Sequence, residues 1–183
     1  MTPKTLAILT HPTGHIVYPH NNQAELVQAV SLFATSGLRN GEAVILIMTP
    51  PHCEAIRECL EREGFDLKEL EFSGQLVCKD AEGLLSAFLF DGIIDDSRFK
   101  TTLGRLIERA RTANGKRRPV RVFGEMVDLL WRSDPATTQR MEELWDEVIE
   151  AHSVPLLCAY CLAGAKVTAI PEPLRACHSL AIA

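Results

Sequence analysis

The run Ala43-Val44-Ile45-Leu46-Ile47-Met48 is apolar without a break, fenced by Asn40-Gly41 on one side and Pro50-Pro51 on the other. It is too short for a helix of ordinary length, and it offers no polar face to water. Such a run is satisfied as a strand covered on both faces, the kind found in parallel sheets. A strand of that kind needs similar neighbours beside it and helices above and below. Val120-Arg121-Val122-Phe123, running into Gly124, reads as a second buried strand, and residues 154–160 read as a third. Residues 75–78, ending at Lys79-Asp80, and the short stretch 15–18 read as two more.

Helical patterns separate these strands. Leu26, Val30, Phe33 and Ala34 share one face of a segment that Asn21 or Asn22 can cap, ending at Gly37 or near Asn40-Gly41. Ala55, Ile56, Cys59 and Leu60 form the inward face of a helix that stops at Gly64. Residues 66–70 read as a turn or short helix, and residues 83–90 as helical before the Asp91-Gly92 turn. Asp95-Asp96-Ser97 caps a helix through Phe99, Leu103, Leu106, Ile107 and Ala110. Ser133-Asp134-Pro135 starts another, with Met141, Leu144, Trp145, Val148 and Ile149 inward. Residues 163–168 and Pro171-Glu172-Pro173 read as irregular or a short helix, and residues 178–182 as a final edge strand. The alternation predicts an α/β fold in three layers: a mostly parallel sheet with helices on both faces. Residues 1–12 are expected as an N-terminal arm or edge strand, and 13–183 as a single domain.

A length of 183 residues fits one domain, and a net charge of −5 argues against direct contact with nucleic acid. The basic cluster Arg111, Lys116, Arg117, Arg118 and Arg121 surrounds Asn114-Gly115 and reads as a solvated loop. The N-terminus has no apolar core of a signal peptide, and no run approaches the length of a membrane span. Six scattered cysteines then point to reduced thiols and a cytoplasmic location, away from membranes.

Glu125 stands at the carboxyl end of the Val120–Gly124 strand, where open α/β sheets bind ligands. The competing reading places it in the first turn of the next helix, favouring the helix dipole. Trp131 lies near Glu125 in sequence and could wall a pocket; Asp80 sits in a similar position and could equally cap a helix. His15 and His20 flank the first strand. The loop after it, Tyr18-Pro19-His20-Asn21-Asn22-Gln23, has no glycine, lysine or hydroxyl residue other than tyrosine, so it lacks the parts of a phosphate loop. No G-x-G-x-x-G motif exists either. Cys158 and Cys161 have redox or zinc spacing, and Cys177-His178 or His52-Cys53 could contribute to a zinc set. Along a strand, however, Cys158 and Cys161 face opposite sides, and buried structural cysteines are the favoured reading.

Taken in order, Gly14-His15-Ile16, Gly37-Leu38-Arg39-Asn40-Gly41-Glu42, Phe65-Asp66-Leu67, Gly74-Gln75-Leu76, Phe123-Gly124-Glu125-Met126, Leu144-Trp145 and Leu156-Leu157-Cys158-Ala159-Tyr160 resemble the MEDS domain, the methanogen/methylotroph DcmR sensory domain, across residues 13–182. That family looks like a divergent relative of RecA/KaiC-type ATPase domains. Thr49-Pro50-Pro51-His52 stands where KaiC-like chains carry acidic catalytic residues, so the resemblance implies a RecA-like core with neither phosphate loop nor acidic pair. It further implies sensing of a small molecule, such as a hydrocarbon derivative, with no catalytic residue, metal or cofactor. The signal would pass to a histidine kinase, response regulator or other signalling protein, with a homodimer as an option. The expected ligand-binding residues are His15, Tyr18, His20, Asn21, Asn22, Thr49, Asp80, Glu125, Met126 and Trp131, at the carboxyl ends of the strands; of these, the resemblance carries over Glu125, matching the family's Gly-Glu-Met carboxylate, and His15, matching its early histidine. His20 and Asn21-Asn22 replace the aromatic and acidic residues of many members, which bears on the identity of the ligand. Two other readings remain: a residual nucleotide binder or hydrolase with Glu125 as base, and an interaction module without a ligand.

Overall fold

The computed structural model describes residues 2–164 and 170–181. The chain runs α1 (Pro3–Thr10), β1 (His15–His20), α2 (Gln23–Arg39), β2 (Ala43–Met48), α3 (Pro50–Arg62), α4 (Leu67–Phe72), β3 (Leu76–Asp80), α5 (Ala81–Leu85), β4 (Leu89–Phe90), β5 (Ile93–Ile94), α6 (Asp96–Thr112), β6 (Val120–Gly124), α7 (Met126–Leu130), α8 (Pro135–His152), β7 (Leu156–Cys161), α9 (Glu172–Ala176) and β8 (Leu180–Ala181). One sheet takes the order β3-β2-β6-β7-β1-β8, with every pairing parallel. Strands β4 and β5 form a separate antiparallel hairpin.

All of β2 is buried, as an apolar run without a polar face requires. Val44, Leu46 and Met48 pack on one side with Leu9 of α1, Phe33 of α2 and Ile56 of α3. Ala43, Ile45 and Ile47 pack on the other with Phe99 of α6 and Trp145 of α8. The helix starts follow local chemistry. Asn22 accepts from the Glu25 N–H at 2.9 Å while Glu25 reaches back to the Asn21 N–H at 2.8 Å, a reciprocal cap. Asp134 accepts from the Thr137 N–H at 3.0 Å, with Pro135 at the first helical position. Among the described residues, no helix is long and apolar enough to cross a membrane.

Several expectations change. Within residues 1–12, the edge-strand alternative gives way to a helix: Thr2 caps α1, Pro3 opens it, and Leu9 is wholly buried against the core. Residues 83–90 are mostly not helical, because α5 ends at Leu85 and Leu89–Phe90 pairs with β5. Residues 165–169 lie outside the described residues. Glu172–Ala176 forms α9, and the final strand is Leu180–Ala181, parallel to β1 at the sheet edge; Ile182 lies outside the described residues.

The basic cluster is not one solvated loop. Lys116 and Arg117 are exposed, but Arg121 is only 1% exposed. Strand alternation turns Arg121 to the same face as Phe123, beneath α2. Its guanidinium grips Glu42 with two bonds of 2.6 Å, donates to the Phe33 carbonyl at 2.9 Å, and lies 5.1 Å from the centroid of the Phe33 ring. Gly37 makes room for it, since a Cβ there would meet Nε of Arg121 at 2.6 Å. Removing the counter-charge by Glu42→Gln is expected to cost about 3–5 kcal/mol, the price of a buried unpaired charge. Gly37→Ala is expected to destabilise by the same displacement of Arg121. Urea unfolding checks both, and an unchanged midpoint in both variants would show that the pair is idle.

Candidate functional site

Strand β2 leads into α3 on the Phe33 face of the sheet. Its neighbour β6 leads through α7 to α8 on the Trp145 face. Connections therefore diverge between β2 and β6, the point where open α/β sheets form a crevice. Glu125 stands there, but it is 3% exposed and fully engaged. One carboxylate oxygen accepts the Thr49 N–H, and the other accepts from Nδ1 of His52 at 2.7 Å. The bond to Glu125 outweighs partial burial and raises the His52 pKa above 6.5.

The expected ligand-binding residues divide into groups. Thr49 and Glu125 meet, with His52 as a third member that sequence reasoning passed over. Tyr18 stacks on His20 at 6.4 Å, and Nδ1 of His20 donates to the Asn22 carbonyl at 3.1 Å. Burial lowers the His20 pKa. Asn21 and Asn22 serve the α2 cap, and Asp80 caps α5 by accepting from the Gly83 N–H at 2.9 Å. Met126 and Trp131 do not face a crevice. Met126 is wholly buried, and Trp131 packs edge-on against Tyr160 and donates its indole N–H to Asp128 at 2.9 Å. His15 departs furthest from expectation, because it opens β1 and so lies at the amino end of the sheet.

His15 belongs to a second polar centre, on the α8 face. Its Nδ1 donates to Asp146 at 2.8 Å. Its Nε2 points at Glu142 Oε2, 3.2 Å away, and at Cys158 Sγ, 3.3 Å away. Glu142 and Asp146 are one turn apart on α8 and share a face. The Cys158 thiol lies 3.6 Å from Oε2 of Glu142, and the Tyr160 hydroxyl donates to Oε1. Nε2 of His178 lies 3.2 Å from Oε1, while its Nδ1 donates to the Leu174 carbonyl at 2.9 Å. Strand alternation puts Cys158 and Tyr160 on this face and leaves Cys161 on the other. Burial disfavours the His15 cation, yet hydrogen bonds to Asp146 and Glu142 prevail and hold its pKa up at about 9. Burial likewise opposes the Glu142 carboxylate, but His15 and His178 bring it down to about 2. Burial and Glu142 push the Cys158 thiol and Tyr160 hydroxyl far up, so both stay protonated.

A cavity of about 650 Å³ reaches this centre from the amino ends of the strands, with His15, Asp146, Ile149, Glu150, Cys177 and Ser179 on its walls. Glu142 escaped sequence reasoning because the heptad-like stripe of α8 was read from its apolar members alone. Its position three residues before Trp145 is the signal that places it inward.

A family model described as MEDS, MEthanogen/methylotroph, DcmR Sensory domain, matches residues 14–178, most of the chain. No curated protein matches it.

In an NMR titration, the His52 ring is expected to protonate with a midpoint above 6.5, and Glu125→Gln is expected to bring that midpoint down. The pair stabilises the fold fully below pH 6.5 and loses that contribution as pH rises through the raised value. An identical midpoint in the variant would show that the His52–Glu125 bond does not form.

Proposed function

The chain belongs to the MEDS family of sensory domains, and from that premise we propose that it binds a small molecule and passes the resulting change to a signalling partner such as a histidine kinase or response regulator. It acts by binding rather than by catalysis. The ligand occupies the cavity beside His15 at the amino ends of β1 and β7, not the crevice at the carboxyl ends.

The observation that carries this reading is the cavity itself. At about 650 Å³ it suits a small organic molecule. Pro12, Ile149, Val154 and Pro155 give it apolar walls, and Asp146 and Glu150 give it acidic ones. Among the described residues lining it there is no lysine or arginine. Such a lining suits a neutral or cationic molecule with a short apolar body and a hydrogen-bonding head, and disfavours a nucleotide. A ligand touching Asp146 and Ser179 would press on both α8 and the segment leading to β8. That gives it unequal affinity for arrangements that differ there, the requirement for shifting a population.

A second reading is supported by one observation, the meeting of Glu125 and His52 at the point where β2 and β6 diverge. There a residual nucleotide binder or hydrolase would use Glu125 as base. Millimolar ATP with magnesium, titrated against the protein and against Glu125→Gln, tests it; no shift in either would remove it.

The main reading is tested by NMR titration with ethylamine and with propanol. Amide shifts are expected at Asp146, Ile149, Cys177 and Ser179, and are expected to vanish in Thr13→Trp, which fills the exposed mouth of the cavity. Shifts confined to the loops after β1, β2 and β6, or none at millimolar probe, would overturn this placement of the ligand.

A further inference from the structure

We propose that His15, Glu142, Cys158 and His178 form a binding site for a single divalent cation of the zinc class. The site goes beyond the sensory reading and holds whether or not the adjoining cavity takes an organic ligand.

The donor set comes from four separate elements: the start of β1, the middle of α8, the middle of β7 and the segment between α9 and β8. Each residue offers one atom, and those atoms all lie within 4.8 Å of one another. The separations among Nε2 of His15, Sγ of Cys158 and Oε2 of Glu142 are 3.2, 3.3 and 3.6 Å, and Nε2 of His178 lies 3.2 Å from the other carboxylate oxygen, Oε1. A tetrahedron with zinc bonds of about 2.0–2.3 Å places its corners about 3.3–3.8 Å apart, so the donors need only small shifts to close on an ion. Two nitrogens, one sulfur and one carboxylate oxygen suit a borderline cation. They suit neither calcium nor magnesium, which take oxygen. The carboxylate and the thiolate together neutralise a charge of two.

The outer contacts support the same conclusion. A metal-binding histidine uses one ring nitrogen on the ion and donates the other N–H to a carboxylate or carbonyl. Both histidines here are arranged so: Nδ1 of His15 donates to Asp146, and Nδ1 of His178 donates to the Leu174 carbonyl. Each thereby aims Nε2 at the centre of the cluster. Independently, Nε2 of His178 is buried with no partner in hydrogen-bond geometry among the described residues, although Glu142 Oε1 lies 3.2 Å away. The side chains of His178 and Glu142 are both wholly enclosed. Nε2 of His178 and Oε1 of Glu142 face each other without a hydrogen-bonding line between them; a cation there turns both into donors. On binding, Cys158 gives up its thiol proton and His15 the proton on Nε2, both to solvent, and the cavity beside His15 offers the path for ion and protons. The spacing of Cys158 and Cys161 in sequence has no part in this, since Cys161 lies on the opposite face of the sheet.

The full chain, stripped with chelator, is titrated with zinc alone and with cobalt(II) alone. The expected result is one ion per chain in native mass spectrometry, with a thiolate-to-cobalt charge-transfer band that disappears in Cys158→Ser. X-ray absorption on the zinc-loaded wild type is expected to show one sulfur and three nitrogen or oxygen neighbours, a readout that does not depend on any variant folding. Asp146→Asn, at a half-exposed position that should leave the fold intact, is expected to weaken zinc about 10–100-fold as the partner that orients His15. No zinc retained at one equivalent, a sulfur count other than one, or a charge-transfer band that survives Cys158→Ser would each overturn the site.

Discussion

Covering β2 on both faces is the constraint on which the rest of the molecule depends. A strand without a polar side can be kept from water only by a layer of helices above and another below, and its amide groups must then be paired within the sheet. Strands β3 and β6 supply those pairs, and each in turn needs cover. Two cores follow from this, one under α1 to α4 and the other under α5 to α9. Every functional side chain described above hangs from that frame, either at a strand end or just beneath one of the two helical layers.

The same frame explains why polar groups collect where they do. Arg121 lies under α2 because alternation along β6 allowed it no outward direction, and Glu42 and the Phe33 carbonyl complete its bonding. His15 and Cys158 point beneath α8 because of alternation along β1 and β7, and Glu142 meets them from above. In each case an ionisable group buried by geometry is held by groups that match it. The two centres differ in one respect. Arg121 has its pairing completed, whereas Nε2 of His178 has no hydrogen-bonding partner among the described residues.

Periodicity made most of the fold legible. The inward stripes of α2, α6 and α8 have a period that only a helix satisfies, while the apolar runs at β2, β6 and β7 are assigned by their shortness and by the glycines and prolines that flank them. The N-terminal segment admits an edge strand as well as a packed arm in sequence because Leu6 to Leu9 is a short apolar run, a pattern shared by strands and helices. Thr2 and Pro3, which decide it, lie just outside the run. The candidate site was legible only in part. Glu125 was placed correctly at a strand end, yet a sequence gives no sign that His52 and the Thr49 amide would saturate it. His15 was singled out, but its partners Glu142, Cys158 and His178 are far away in the chain, and only the pairing of β1 with β7 brings them together. Met126 and Trp131 were drawn to the crevice by nearness to Glu125 in sequence, while α7 turns them into the core.

Among the described strands of the sheet, β1 is made first, and its two neighbours, β7 and β8, are made last. During synthesis β2 can pair with β3 early, but β1 must wait with both edges bare until β7 and β8 are made. β1 therefore stays unpaired while the rest of the domain is made, and closing the sheet spans nearly the full length of the domain, which makes it slow. Circular permutation that opened a new terminus after β1 and joined the old ends would place β1 beside its partners in sequence. Comparing the refolding rate of that permutant with the natural order would measure how much of the folding time is spent waiting for the last strands.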